Sequence, residues 1–327
     1  MTKFNAKCAV MAMAALAFAA TQGTDPASAQ NYPNKPIQFV VGFAPGGFAD
    51  VSSRIVAKHV ASVLGQSVTV MNRGGAGSNL AASFVKTSPA DGYTVLATTT
   101  AIAVNATLYK SLDYALFKDL LPVAVAVEAP ELFAVHPSQP RNLADFLKAA
   151  HAAGGKTFGT AGAGTGSHLT FASFFDKVAK APVTHVPFQG AGPANQAVMG
   201  GHTDGFAGSA SGPVVELVRN GSIVCLGFAA AERYPELPDC PTLGELGYPN
   251  HFGASWLSFW VPAGTPEPAR KALNEAIRSI NKDPAMAKAL SANGVLKSMD
   301  LQETETFLRG QIKIWGERVT ASGLSIN

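Results

Sequence analysis

The chain has 327 residues, a formal net charge of +3 and 14% charged residues, with 32 glycines and 21 prolines. The small charge comes without any Lys/Arg cluster, which excludes an electrostatic footprint for nucleic acid or for a membrane surface. Few charges and many glycines and prolines predict short turns and few long solvated helices, in a chain long enough for two domains after its leader.

Residues 1–29 read as a secretory signal. Lys3 and Lys7 form a basic start, Ala9 to Ala20 is an apolar run too short to span a bilayer, and Ala27-Ser28-Ala29 is a small-residue cleavage site. No later stretch reaches about 18 uncharged apolar residues, so the expected mature chain is exported and soluble, cleaved after about Ala29.

The first predicted unit is Val40-Val41-Gly42-Phe43-Ala44-Pro45-Gly46-Gly47-Phe48-Ala49-Asp50. A β-branched run enters a Pro-Gly-Gly turn, and Val51, Ile55, Val56, Val60, Val63 and Leu64 then recur at helical spacing. Such a turn leaves backbone N–H groups unpaired at the positive end of a helix with nothing bulky in front of them, the chemistry of an anion site. The alternative is a turn that only connects. Asp50, at the start of the helix, either caps it or contacts a ligand.

Ser67 to Met71 reads as a second strand, and Asn72-Arg73-Gly74-Gly75-Ala76-Gly77-Ser78-Asn79 as a second glycine-rich turn before the helical pattern Leu80, Phe84, Val85. A strand over Thr94 to Ala97 ends in Thr98, Thr99 and Thr100, whose hydroxyls either donate to a ligand or cap the next helix. Leu121 to Ala129 and Leu132 to His136 are strand-like, broken by Pro130 and Pro137, and a helix starts at Asn142. The strand Lys156 to Thr160 leads into a third glycine-rich turn, Ala161 to His168. The strand Thr184 to Phe188 leads into Gln189-Gly190-Ala191-Gly192-Pro193, and the strand His202 to Gly208 into Ser209 and Ser211. Strands are also expected over Gly221–Ala229 and Trp256–Val261, and helices over Pro268–Asn281, Pro284–Asn293 and Thr304–Thr320. Alternating short strands and helices predict an α/β fold with parallel sheets, in which ligands bind at the carboxyl ends of strands, where every glycine-rich turn lies.

Enzyme signatures do not assemble. Ser78, Ser167, Ser209 and Ser211 all miss the spacing of the hydrolase elbow, and no Walker lysine follows a glycine run. Gly162-Ala163-Gly164 lacks the third glycine of a dinucleotide fingerprint. The histidines stand singly, with no pair at metal spacing, and His168, just inside a helix start, is expected to order its loop. No cofactor and no metal are expected. Cys225 and Cys240, 15 residues apart, either close a disulfide loop in an oxidising compartment or stay free thiols.

An ordered set of short motifs carries a likeness. Pro45-Gly46-Gly47-x-x-Asp50-x-x-x-Arg54, Gly65-Gln66, Asn72-Arg73-x-Gly75-Ala76-Gly77 and Asp91-Gly92-Tyr93-Thr94 come first. Gly164-x-Gly166-Ser167-His168-Leu169, His185-Val186-Pro187-Phe188-x-Gly190, Pro193-Ala194 and Gly200-Gly201-x-x-Asp204 follow, then Leu237-Pro238-Asp239-x-Pro241-Thr242, Glu245-x-Gly247, Trp256 and Pro262-Ala263-Gly264-Thr265-Pro266. Over essentially the whole mature chain this resembles the Bug-type substrate-binding proteins of tripartite tricarboxylate transporters. Met71 stands where that family usually has an acid, and Gly74 where it usually has proline.

The resemblance implies a monomeric, non-enzymatic periplasmic protein of the two-lobed, type II Venus-flytrap fold, which closes on a small carboxylate, di- or tricarboxylate or aromatic acid, and delivers it to a membrane permease. Crossing strands are expected near Val125–Glu128 and Leu226–Ala230, dividing the chain into one lobe of residues 30–126 and 229–327 and another of 127–228. The expected ligand contacts are Phe43, Ala44, Gly46, Gly47, Phe48 and Asp50 from the first turn, Gly75, Ala76, Gly77 and Ser78 from the second, and Thr98, Thr99 and Thr100. Across the cleft they are Gly164, Thr165, Gly166, Ser167, His168, Phe188, Gln189, Gly190 and Ser209. Phe43, Phe48 and Phe188 either sandwich a flat ligand or pack as core or lid. A sensory binding protein docking on a receptor kinase is the alternative to a transport partner, and a secreted enzyme using His168 or Asp50 is the third class.

Overall fold

Ile37–Val41 (β1) is a run of β-branched and aromatic residues buried on both faces, as a central parallel strand must be. It is seen in a computed structural model that describes residues 32–326; the expected signal segment at 1–29 lies outside the described residues. The helix after the first turn, Phe48–Leu64 (α1), ends at Gly65, whose φ of 66° is the left-handed cap that glycine adopts without strain. Val68–Asn72 (β2) and Thr94–Thr98 (β3) pair in parallel on either side of β1. Asn79–Lys86 (α2) and Ala101–Leu108 (α3) connect and follow them.

The middle of the molecule departs from the all-parallel expectation. Leu120–Val135 is one strand (β4), 16 residues long, that runs straight through Pro130. It pairs antiparallel with Ala254–Pro262 (β9) from Leu120 to Pro130, then antiparallel with Gly205–Ser209 (β7) from Glu131 and with Val224–Phe228 (β8) from Leu132. Proline has no N–H to donate, and Pro130 falls where the strand changes partners; its carbonyl still accepts from Ala210 N at 2.9 Å. Pro122 sits beside a bulge, the other place where a strand tolerates proline. Beyond β4, Lys156–Thr160 (β5) pairs in parallel with β7 and with Val183–Pro187 (β6). Two parallel runs therefore flank an antiparallel centre, in the order β2-β1-β3-β9-β4-β7-β5-β6.

The helices Leu143–Ala152 (α4), Gly166–Ser173 (α5), Ala191–Met199 (α6) and Gly212–Arg219 (α7) cover the second run. Glu267–Arg278 (α8), Pro284–Ser291 (α9) and the long Leu301–Ser322 (α10) return to the first, α10 opening on a capping box between Asp300 and Glu303. Around β1, β3 and β9 the core holds Val40, Leu96, Trp256, Trp260 and Trp315. On the far half of β4 it is aromatic, with Phe133, Phe146, Phe158, Phe171, Phe174 and Phe175 ring against ring. Cys225 and Cys240 are joined in a disulfide, with Cα atoms 5.8 Å apart, which ties β8 to the loop that follows it.

Candidate functional site

Residue by residue, the first turn is closely packed but leaves the helix start uncapped. Gly42 lies so close to Ser78 that a side chain would strike its Oγ, and Gly46 has a φ of 84°. Gly47 precedes α1 and offers no capping side chain, so the first-turn amides of α1 keep donors to spare. Asp50 does not face outward. Its Oδ2 accepts from Gly46 N at 3.0 Å, and its Oδ1 accepts from Arg54 Nε at 3.0 Å and Asn72 Nδ2 at 2.8 Å. Burial alone would push its carboxyl up, but Arg54, the Gly46 amide and Asn72 outweigh that and hold it below the ordinary carboxylate value. Asp50 is the brace of the loop.

The second turn is closed on itself. Asn105 Nδ2 donates to Gly77 O at 2.8 Å and to Asn79 Oδ1 at 3.0 Å, and Thr98 Oγ1 donates to Ser78 Oγ at 2.8 Å. Ala76, Gly77 and Ser78 all have positive φ, a tight knot under Asn105. Arg73, the one cation of the glycine-rich turns, lies over the Phe84 ring with its guanidinium 4.7 Å from the centroid.

In the third turn Thr165 caps α5, its Oγ1 accepting from His168 N at 3.2 Å and donating to Gly162 O at 2.8 Å. His168 Nδ1 accepts from Gly164 N at 3.3 Å, and its ring stacks on His185 with centroids 4.0 Å apart. Burial lowers the His168 pKa to about 4; burial and the neighbouring His168 lower that of His185 to about 3. His168 thus orders its loop as a neutral ring. Phe188 packs over Gly159, Gln189 O accepts from Ala44 N at 2.8 Å, and Gly190 leaves no room for a side chain against Ala44.

What remains between the turns is a narrow cleft with about 30 Å³ of free room. Its walls include Phe43, Gly47, Phe48, Thr99, Thr165, Ser167 and Ser209, all expected from the sequence, together with Ala49, Ala161, Ala191, Gly208 and Ser255, which were not. The other expected contacts are engaged elsewhere. Asp50, Gly77, Ser78, Thr98 and His168 make the bonds above, Ala44, Gln189 and Gly190 meet one another, and Gly46 reaches towards Gly192. Gly75 packs on Leu80, Ala76 belongs to the second turn's knot, and Gly164 packs on Asn105. Thr100 Oγ1 donates to Ala254 O and accepts from Trp256 N, and Gly166 abuts Glu131. No lining residue carries a charge. Thr99 Oγ1 accepts from Ala101 N at 3.3 Å and keeps its own hydrogen, and among the described residues Ser209 Oγ has no partner. Of the residues missed, Ala49, Ala161 and Ala191 lie in or just past the glycine-rich turns but carry only a methyl group, and Gly208 and Ser255 lie inside strands, where no pattern marks them.

Comparisons with known proteins bear on this site. The family model described as tripartite tricarboxylate transporter family receptor matches residues 52–324. Protein BugT of Bordetella pertussis is 32% identical over 317 residues, covering 94% of this chain and 96% of its own. Among solved structures, an R. palustris protein with adipate superposes with a TM-score of 0.85 at 27% identity, over 90% of this chain and 99% of its own. MatC from Rhodopseudomonas palustris with bound malate superposes with a TM-score of 0.82 at 29% identity, over 88% and 100%.

Proposed function

The chain belongs to the tripartite tricarboxylate transporter receptor family, and on that premise we propose that it captures a small carboxylate in this cleft and hands it to a membrane permease. The family is one of periplasmic solute-binding proteins, so the chain is a binder and not an enzyme. The observation that carries the ligand class is the donor set of an uncharged cleft. The uncapped first turn of α1 and the hydroxyls of Thr99 and Ser209 line one small space with hydrogens free to donate, and a carboxylate is an acceptor-only group that can use them all. Phe43 and Phe48, each 4% exposed, line the same space and suit a short apolar or aromatic body. The relatives solved with adipate and malate support a small acid as the ligand.

The same reading keeps the two expected lobes, residues 30–126 with 229–327 and residues 127–228, with crossings near Val125–Glu128 and Leu226–Ala230; the change of partners in β4 at Pro130–Glu131 lies just past the first crossing and supports it. Closure of such lobes buries the ligand. The leader is removed after about Ala29, and the mature protein works as a monomer in the periplasm beside its permease.

Thermal denaturation against mono-, di- and tricarboxylic and aromatic acids tests the ligand class. An acid present at 100 times its Kd adds about 2.7 kcal/mol of stability. A panel in which no carboxylate raises the transition overturns the proposal.

A further inference from the structure

Glu131 is a fully buried carboxylate at the change of partners in β4, and the carboxylate reading above gives it no task. Its Oε1 accepts from Ser255 Oγ at 3.0 Å. Its Oε2 and Thr170 Oγ1 both face the Cα of Gly253, where a Cβ would lie 2.5 Å from each, and neither atom completes a hydrogen bond. Gly166, at the start of α5, packs on Oε1 so closely that a side chain there would collide with it. The carboxyl is therefore held in one orientation by two glycines, and Ser255 has no other acceptor to which its hydrogen is given.

Ser255 also lines the cleft. A hydroxyl that spends its one hydrogen on Glu131 can offer the cleft only lone pairs. From this geometry we infer that Ser255, oriented by Glu131, is a selectivity contact that favours acids carrying a hydroxyl or other hydrogen-bond donor beside the carboxylate. The inference rests on the carboxylate reading and sharpens it: donors on Thr99, Ser209 and the first turn take the acid group, and Ser255 takes the donor. Glu131 is a positioning residue, with no surface in the cleft. Burial pushes its carboxyl up to about 7, with Ser255 and the charge of Arg318 opposing. With a proton on Oε2 the carboxyl would still accept from Ser255 through Oε1.

The test is binding of acid pairs that differ only by a hydroxyl next to the carboxylate: malate and succinate, lactate and propionate, mandelate and phenylacetate. In whichever pair binds, the hydroxy acid is expected to bind about tenfold more tightly, the worth of one buried hydrogen bond. Ser255→Ala brings the ratio to about one. Glu131→Gln, which keeps an acceptor for Ser255, retains the ratio, while Glu131→Met frees the serine hydrogen and lowers it. The ratio compares two ligands on one folded protein, so a general loss of stability does not move it. A ratio near one in the unaltered protein, or a ratio unchanged by Ser255→Ala, overturns the inference and leaves the carboxylate reading standing. If none of the six acids nor any other carboxylate binds, the carboxylate reading falls first and takes this inference with it.

Discussion

The first and second glycine-rich turns look alike in sequence and do opposite work. Each follows a strand of the same parallel run and precedes a helix. In the first, Asp50 braces the loop from within and leaves Gly47 and the first turn of α1 facing the cleft. In the second, Asn105 and Thr98 take up the polar atoms of Gly77 and Ser78, and none of its four expected contacts reaches the cleft wall. A glycine-rich turn before a helix is thus only an opportunity for a ligand. The polar side chains packed on it decide whether its donors stay free.

The largest effect is expected from Asn105→Ala, which strips Gly77 O and Asn79 Oδ1 of a buried donor and should cost about 3 kcal/mol of stability in a urea titration. A loss well below that would mean the second turn is held by something other than Asn105. The complementary change is Gly46→Asp in the first turn. It should erase the stabilisation of about 2.7 kcal/mol that an acid at 100 times its Kd provides, because it sets a like charge beside the site. The left-handed backbone at Gly46 should cost the free protein only about 1 kcal/mol. Gly46→Asn carries the same backbone strain without the charge; if it abolishes the ligand shift as fully, charge is not the cause.

The third turn extends the comparison to pH. His168 has a folded pKa of about 4, below the ordinary histidine value, so the unfolded chain binds more protons between pH 6.5 and 4. Stability should therefore fall as pH falls through that window, by about 2 kcal/mol between pH 7 and pH 5 from this residue. His168→Gln should flatten the acid limb when melts are compared across pH, and an unchanged limb would remove His168 from it. The smallest effect belongs to Asp50, whose folded pKa is depressed. Its contribution is present above the unfolded carboxylate value and lost as pH falls through the folded one. Asp50→Asn should cost about 1 kcal/mol at pH 7 and nothing under strongly acid conditions.

Much of the fold was legible because its signals are local. β1, β2 and β3 are runs of β-branched and apolar residues that end at glycine or threonine clusters, and Asn142 caps α4 from its own side chain, as expected. The likeness in the ordered motifs and the family match agree on the kind of protein this is. The unbroken β4 was hidden because proline is read as a breaker, and only the exchange of partners at Pro130 explains why it is harmless there.

The site divides the same way. Sequence periodicity and glycine spacing alone determined that several turns lie at the carboxyl ends of strands, and half of the cleft wall came from them: Phe43, Gly47, Phe48, Thr165, Ser167 and Ser209. Only the tertiary structure decided which turn's donors are free, since Asn105 is separated from Gly77 by 28 residues. It alone stacked His168 on His185 and set Glu131 behind Ser255, 124 residues away. The physical reason is one of range. Propensity and turn chemistry act over a few neighbouring residues, whereas the satisfaction of a buried polar atom is settled by whatever the folded chain brings to within 3 Å of it.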